Sequence, residues 1–228
     1  LPAGVLLVEA GVGLGAALIP VMLPGLVAAA VGYLIFIGIG DWGGLGAATL
    51  SVPGLPEYET TRVADMLLAV AVGVACALLV VALHKLARAL AAESDRRIPM
   101  PALLVGGGLA VGLLAQLSDF LGANPQDVLF SGQAALPSLV AEGSAGVVVV
   151  LVLAKALAYG ICLGCGFRGG PVFPAIFIGV ALGMLTVIAF DVSPTAAVAM
   201  GCAAGVTAVT RLVVASLVIA ALLVGTAG

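Results

Sequence analysis

The sequence predicts an all-α, polytopic membrane protein built from short, tilted and broken helices. Three observations carry that expectation. Hydrophobic residues make up 63% of the chain and charged residues only 8%, with a mean hydropathy of +1.34. Soluble domains carry roughly a quarter charged residues, so this chain cannot cover a water-facing surface, and a lipid bilayer is the partner that suits it. The second observation is the 32 glycines and 12 prolines. Small residues let membrane helices approach closely, and breakers in such number interrupt regular spans. Third, apolar stretches recur along nearly the whole length. At about 20 apolar residues per span, the chain has room for roughly seven or eight membrane segments and no water-soluble domain of useful size.

The elements follow in order. Residues 2–38 are apolar apart from Glu9 and too long for one span. Gly11, Gly13, Gly15, Pro20 and Pro24 cut the run into a short first helix and a second one ending near Gly38. Residues 41–62 read as a loop with turn signals and acidic charge at Asp41, Glu57 and Glu59. A long helix is expected over Val63–Ala92, ending in a basic loop near residues 85–97 that holds Lys85, Arg88, Arg96 and Arg97. By the excess of Lys and Arg that loop is cytoplasmic, and the acidic loops on either side are outside. Tyr33 and Trp42 suit the interfacial aromatic belt, and His84 a solvated helix end. Another span covers about residues 101–117, and residues 1–125 form a first group of helices.

Residues 126–228 form the second group, within one membrane domain. It opens with a short helix over about residues 126–139 and an apolar segment over 146–163, followed by a glycine-rich break at 164–170. A helix then runs from near Phe173 to about Phe190, and Asp191-Val-Ser-Pro194 is a turn with N-cap character. Residues 195–224 read as two helices joined near Thr210 and Arg211.

Composition also limits chemistry. With a net charge of −3 and no basic stripe, a nucleic-acid partner is excluded. Cys162 and Cys165 have CxxC spacing, but the chain has four cysteines and one histidine. Buried reduced thiols are therefore expected, with no metal site and no cofactor. An intramembrane enzyme fits poorly, because no Ser/His pair lies at membrane depth. The chain begins inside an apolar run without Met and stops just after another, so the sequence predicts an internal fragment without a signal peptide.

One stretch carries the chemistry: Gly164-Cys-Gly-Phe-Arg-Gly-Gly-Pro-Val-Phe-Pro-Ala-Ile-Phe-Ile-Gly179. It is a glycine-rich turn opening directly into an apolar helix. Irregular backbone at membrane depth persists only where it is buried in protein or lines a wet cavity. A helix starting there aims unpaired N–H groups and the positive end of its dipole inward, which is an anion site without a formal charge. A glycine hinge for close helix packing explains the same residues equally well.

The stretch resembles the third signature of the CLC chloride channels and chloride/proton antiporters, K-x-x-x-T-x-x-x-x-G-x-G-x-x-G-G-x-F-x-P-x-x-x-x-G. Lys155, Gly164, Gly166, Gly169, Gly170, Pro174 and Gly179 fall in register. Phe130-Ser-Gly-Gln-Ala-Ala-Leu-Pro137 is similar to the helix before that signature, and Val206-Thr-Ala-Val-Thr-Arg211 to an arginine-bearing junction near the family's end. The resemblance implies an incomplete CLC-like inverted-repeat fold truncated at both ends, a homodimer with one pore per subunit, a multi-pass location in the plasma membrane, and passive chloride conduction or chloride/proton exchange. It places the family's serine-bearing and gating-glutamate loops upstream of Leu1 and its pore tyrosine beyond Gly228.

In the family, two backbone amides after the double glycine bind the central chloride. Gly169 and Gly170 are that pair here, and the donor positions hold Pro171, which has no N–H, and Val172 in place of Phe. Val172 and Phe173 are the expected donors, in a weaker or rearranged site. Glu9 falls one place before the family's proton-relaying glutamate, so it is either a relay or a helix-end carboxylate in water. Lys155 lies inside an apolar segment and is expected to pair with carbonyls or an acid, or else to touch the anion. Arg168 adds positive potential at the pore mouth or reaches the interface. Two other functions stay open: a broken-helix transporter of another anionic solute, and a non-conducting scaffold or sensor.

Overall fold

The computed structural model describes residues 2–11, 18–43, 51–58, 60, 62–97 and 99–225. Among them run ten helices: α1 (Pro2–Gly11), α2 (Leu18–Gly43), α3 (Val63–Arg97), α4 (Met100–Phe120), α5 (Pro125–Leu129), α6 (Leu136–Ala141), α7 (Ala145–Gly164), α8 (Val172–Phe190), α9 (Pro194–Thr210) and α10 (Val213–Val224). The described residues form no strand. Four helical stretches, Val63–Ala92, Met100–Phe120, Ala145–Gly164 and Val172–Phe190, are long and apolar enough to cross a membrane. The chain is that of an integral membrane protein.

Besides those four, three apolar helices are shorter, including α9 and α10, in keeping with the expected membrane segments that are short or broken. At 1.5 Å per residue, α9 covers only about 26 Å and α10 about 18 Å, less than a hydrocarbon core of roughly 30 Å. Helix α2 does not stop near Gly38 but runs to Gly43, with Pro24 inside it. The proposed breaks at Gly13 and Gly15 and the Trp42 side chain lie outside the described residues. Lys85, Arg88, Arg96 and Arg97 lie in α3, so the basic segment is helix rather than loop. The reason is local: residues 82–97 are rich in Ala, Leu, Lys, Arg and Glu, all strong helix formers. Arg88 Nε also donates to the His84 carbonyl one turn back, at 3.1 Å.

The single helix expected over residues 126–139 is two, α5 and α6, separated at 130–135. Pro125 starts one and Pro137 sits in the first turn of the other, where a missing N–H costs nothing. Between them Gly132 takes φ +89°, a conformation that disfavours any side chain.

The core is formed around α8 and α9, which meet backbone to backbone. Gly179 and Gly183 on α8 face Gly201 and Gly205 on α9, each pair one turn apart. A Cβ on Gly201 would strike the Gly179 carbonyl, and one on Gly205 the Ala175 carbonyl. Association within lipid comes from such close van der Waals packing rather than from hydrophobic exclusion. Around this pair Phe177, Val180, Val198, Cys202 and Val206 are fully buried. Gly160 and Gly164 on α7 likewise seat Leu83, Leu86 and Leu90 of α3.

Candidate functional site

Helix α7 ends at Gly164, and the chain turns through residues 165–171 into α8. Gly166 takes φ +84° in this turn. Pro171 is the N-cap of α8, and its carbonyl accepts from Ala175 N–H at 3.2 Å. Pro171 and Pro174 have no N–H, so the first turn keeps two amides, those of Val172 and Phe173. Neither donates to any acceptor among the described residues, as expected for the orphan groups of a helix start.

This helix start borders a cavity of about 510 Å³ walled by α4, α5, α7, α8 and the two flanking loops. Lys155, Arg168, Gly169, Gly170 and Phe173, all singled out from the sequence, line it together. Val172, the first residue of the same helix, does not line the cavity. Arg168, Gly169 and Gly170 are exposed, whereas Lys155 is 3% exposed.

Lys155 takes the carbonyl option. Its Nζ donates to the carbonyls of Asp127 (2.7 Å), Val128 (3.2 Å) and Phe130, and stands 5.2 Å from the centroid of the Phe177 ring. The three ammonium protons thus match three acceptors at the end of α5. What remains for the cavity is the charge, held in a low-dielectric wall where its field is strong.

Glu9 lies elsewhere. Its Oε1 accepts from Val214 N–H at 2.9 Å and its Oε2 from Ala215 N–H at 2.6 Å. The carboxylate therefore caps α10 from the far end of the chain, with its negative charge on the positive end of the helix dipole. Thr210 Oγ1 accepts from Leu212 N–H just ahead of it, at 3.2 Å.

Sequence reasoning missed Ser131, Tyr159 and Cys162, which also line the cavity. For the last two the signal was present, since Lys155, Tyr159 and Cys162 are spaced by four and three residues and so share one face of α7. Ser131 carried no such signal, because its placement depends on the break between α5 and α6. A second cavity of about 370 Å³ holds Glu57, Asp65 and Asp191 against Arg62. Its excess of acid repels an anion. The four cysteines are free thiols; Cys76, Cys165 and Cys202 are buried as expected, whereas Cys162 is only half-buried because it faces the cavity.

The sequence pattern of the family described as "Voltage gated chloride channel" matches residues 3–228. Two curated relatives, each named "Putative ion-transport protein YfeO", come from Salmonella newport (strain SL254) and Salmonella agona (strain SL483). Each is 33% identical over 114 residues, which is 49% of this chain and 26% of the relative. The matched stretch therefore spans about a quarter of those relatives. No solved structure gives a significant match. Because the family pattern covers nearly the whole chain, the chain belongs to the voltage-gated chloride channel family.

Proposed function

We propose that the full protein moves chloride or a similar small inorganic anion across a membrane, holding it at the start of α8. The observation that carries this reading is the pair of unbonded amides on Val172 and Phe173, beside a cavity that also gathers Lys155 and Arg168. Backbone dipoles bind an anion without a contact ion pair, which leaves it free to depart. Two amides make a sparser site than a helix start with all its N–H groups. Arg168, exposed at the edge, raises the local anion concentration rather than gripping the ion. A homodimer in the plasma membrane is the assembly and location that family membership suggests.

The test is chloride efflux from liposomes containing the full-length protein, with external pH recorded in parallel. Chloride release opposed by proton movement makes the protein an exchanger and Glu9 the carboxylate to test as relay. Release without proton movement makes it a channel and leaves Glu9 a cap. Folded protein that releases neither chloride, nitrate nor fluoride overturns the reading and favours a scaffold. Release of an organic anion alone favours a transporter of another solute, consistent with the largely apolar cavity wall of Val111, Leu129, Phe130 and Phe167.

A further inference from the structure

Helix α3 carries one unbroken apolar stripe on its outer face. Val63, Leu67, Val70, Val74, Leu78 and Val81 recur at three- and four-residue spacing and are all exposed, which places them along one side of the helix. From Val63 to Val81 the helix rises about 27 Å, close to a hydrocarbon core of roughly 30 Å, so lipid chains cover the stripe from end to end.

The next two positions of the same stripe are Lys85 and Arg88, both exposed. The helix runs on to Arg97, so these cations are held on regular backbone just past the apolar stretch, at the depth of the headgroup phosphates. Arg88 Nε donates to the His84 carbonyl at 3.1 Å. Its terminal nitrogens and the Lys85 ammonium bond to no acceptor among the described residues. The nearest acids in sequence, Glu93 and Asp95, come more than a turn later. A zwitterionic headgroup brings its own ammonium beside its phosphate, whereas an anionic one leaves the phosphate uncompensated. Two unpaired cations one turn apart suit the second: Arg88 takes two phosphate oxygens at once, and Lys85 adds a point charge.

We infer that Lys85 and Arg88 bind the phosphate of an anionic phospholipid whose acyl chains lie along the α3 stripe. The site is separate from the anion cavity, to whose lining α3 contributes no residue. Ala87 and Leu90, against which the α7 end packs at Gly164, lie on the opposite side of the same turns. A lipid held here therefore braces that contact, and by binding the folded chain it stabilises the fold.

The experiment is native mass spectrometry of the full-length protein in detergent, titrated with phosphatidylglycerol or with phosphatidylcholine of identical chains. Two interfacial charges should separate the two lipids by about 10-fold or more. The double variant Lys85→Gln, Arg88→Gln should bring phosphatidylglycerol down to the phosphatidylcholine level. Lys85→Arg keeps the charge and should stay close to the parent. Both positions are exposed, so the unfolding temperatures without added lipid should coincide, and phosphatidylglycerol should raise only those of the parent and Lys85→Arg. Equal phosphatidylglycerol affinity in the parent and the double variant overturns the inference, as does a parent that holds the two lipids equally. Displacement of the lipid by inorganic phosphate at matching concentration overturns it too, because the site would then take a free anion. Each of these outcomes leaves the chloride reading to its own efflux test.

Discussion

Glu9 Oε2 accepts a hydrogen bond from the backbone N–H of Ala215 at 2.6 Å, joining α1 to the start of α10 across 206 residues. Together with the bond to Val214, it satisfies two amides that the short α10 cannot satisfy within itself. Glu9→Ala should therefore destabilise the fold by about 1–2 kcal/mol, the range for loss of a helix cap. That corresponds to a lowering of Tm by roughly 2–8 °C for a chain of this size. Glu9→Gln keeps one acceptor oxygen and should lose less. A thermal size-exclusion series on the three proteins measures the order, and an unchanged Glu9→Ala would show that the cap contributes nothing.

Lys155→Met should cost more than any surface lysine. It removes three hydrogen bonds at once and leaves the carbonyls of Asp127, Val128 and Phe130 without their donor, a loss of about 2 kcal/mol or more. Chloride efflux should fall with it, because the positive wall of the cavity disappears. Lys155→Met with wild-type thermal stability would contradict the tether.

Gly201→Ala should destabilise sharply, since the new methyl would meet the Gly179 carbonyl on the facing helix. Gly108→Ala and Gly112→Ala are the controls, because nothing lies within 4 Å of a Cβ at either position. Those two should be neutral or slightly stabilising, as alanine is the better helix former. Similar losses at all three sites would mean that close approach of α8 and α9 is not what holds the core.

Gly132→Ala combines two penalties. The φ of +89° disfavours a side chain by about 1–2 kcal/mol, and the methyl would press on the Phe177 ring. Reduced folded yield is expected, read as the fraction that elutes as a single species on size exclusion. A variant folded at wild-type yield and stability would contradict the tight packing of Gly132 on the Phe177 ring.

The class of fold was legible because composition alone leaves the chain no solvent but lipid, and α4, α7 and α8 begin and end within about three residues of their expected bounds. Boundaries failed where local propensity and hydropathy disagree. The basic end of α3 is too charged to read as membrane yet too rich in helix formers to be a loop. The α5–α6 break turns on one glycine conformation that no periodicity reveals. At the site, the glycine turn and Pro171 were readable because they act through backbone geometry. Ser131, and the bond between Glu9 and α10, depend on segments brought together by the fold, and sequence spacing is silent on both.

The most direct test of the central claim is anomalous diffraction from crystals of the full-length protein soaked in bromide, a heavier stand-in for chloride. The account predicts an anomalous peak within hydrogen-bonding reach of the Val172 and Phe173 amides. Peaks confined to surface lysines and arginines, with the cavity at the start of α8 empty, would contradict it.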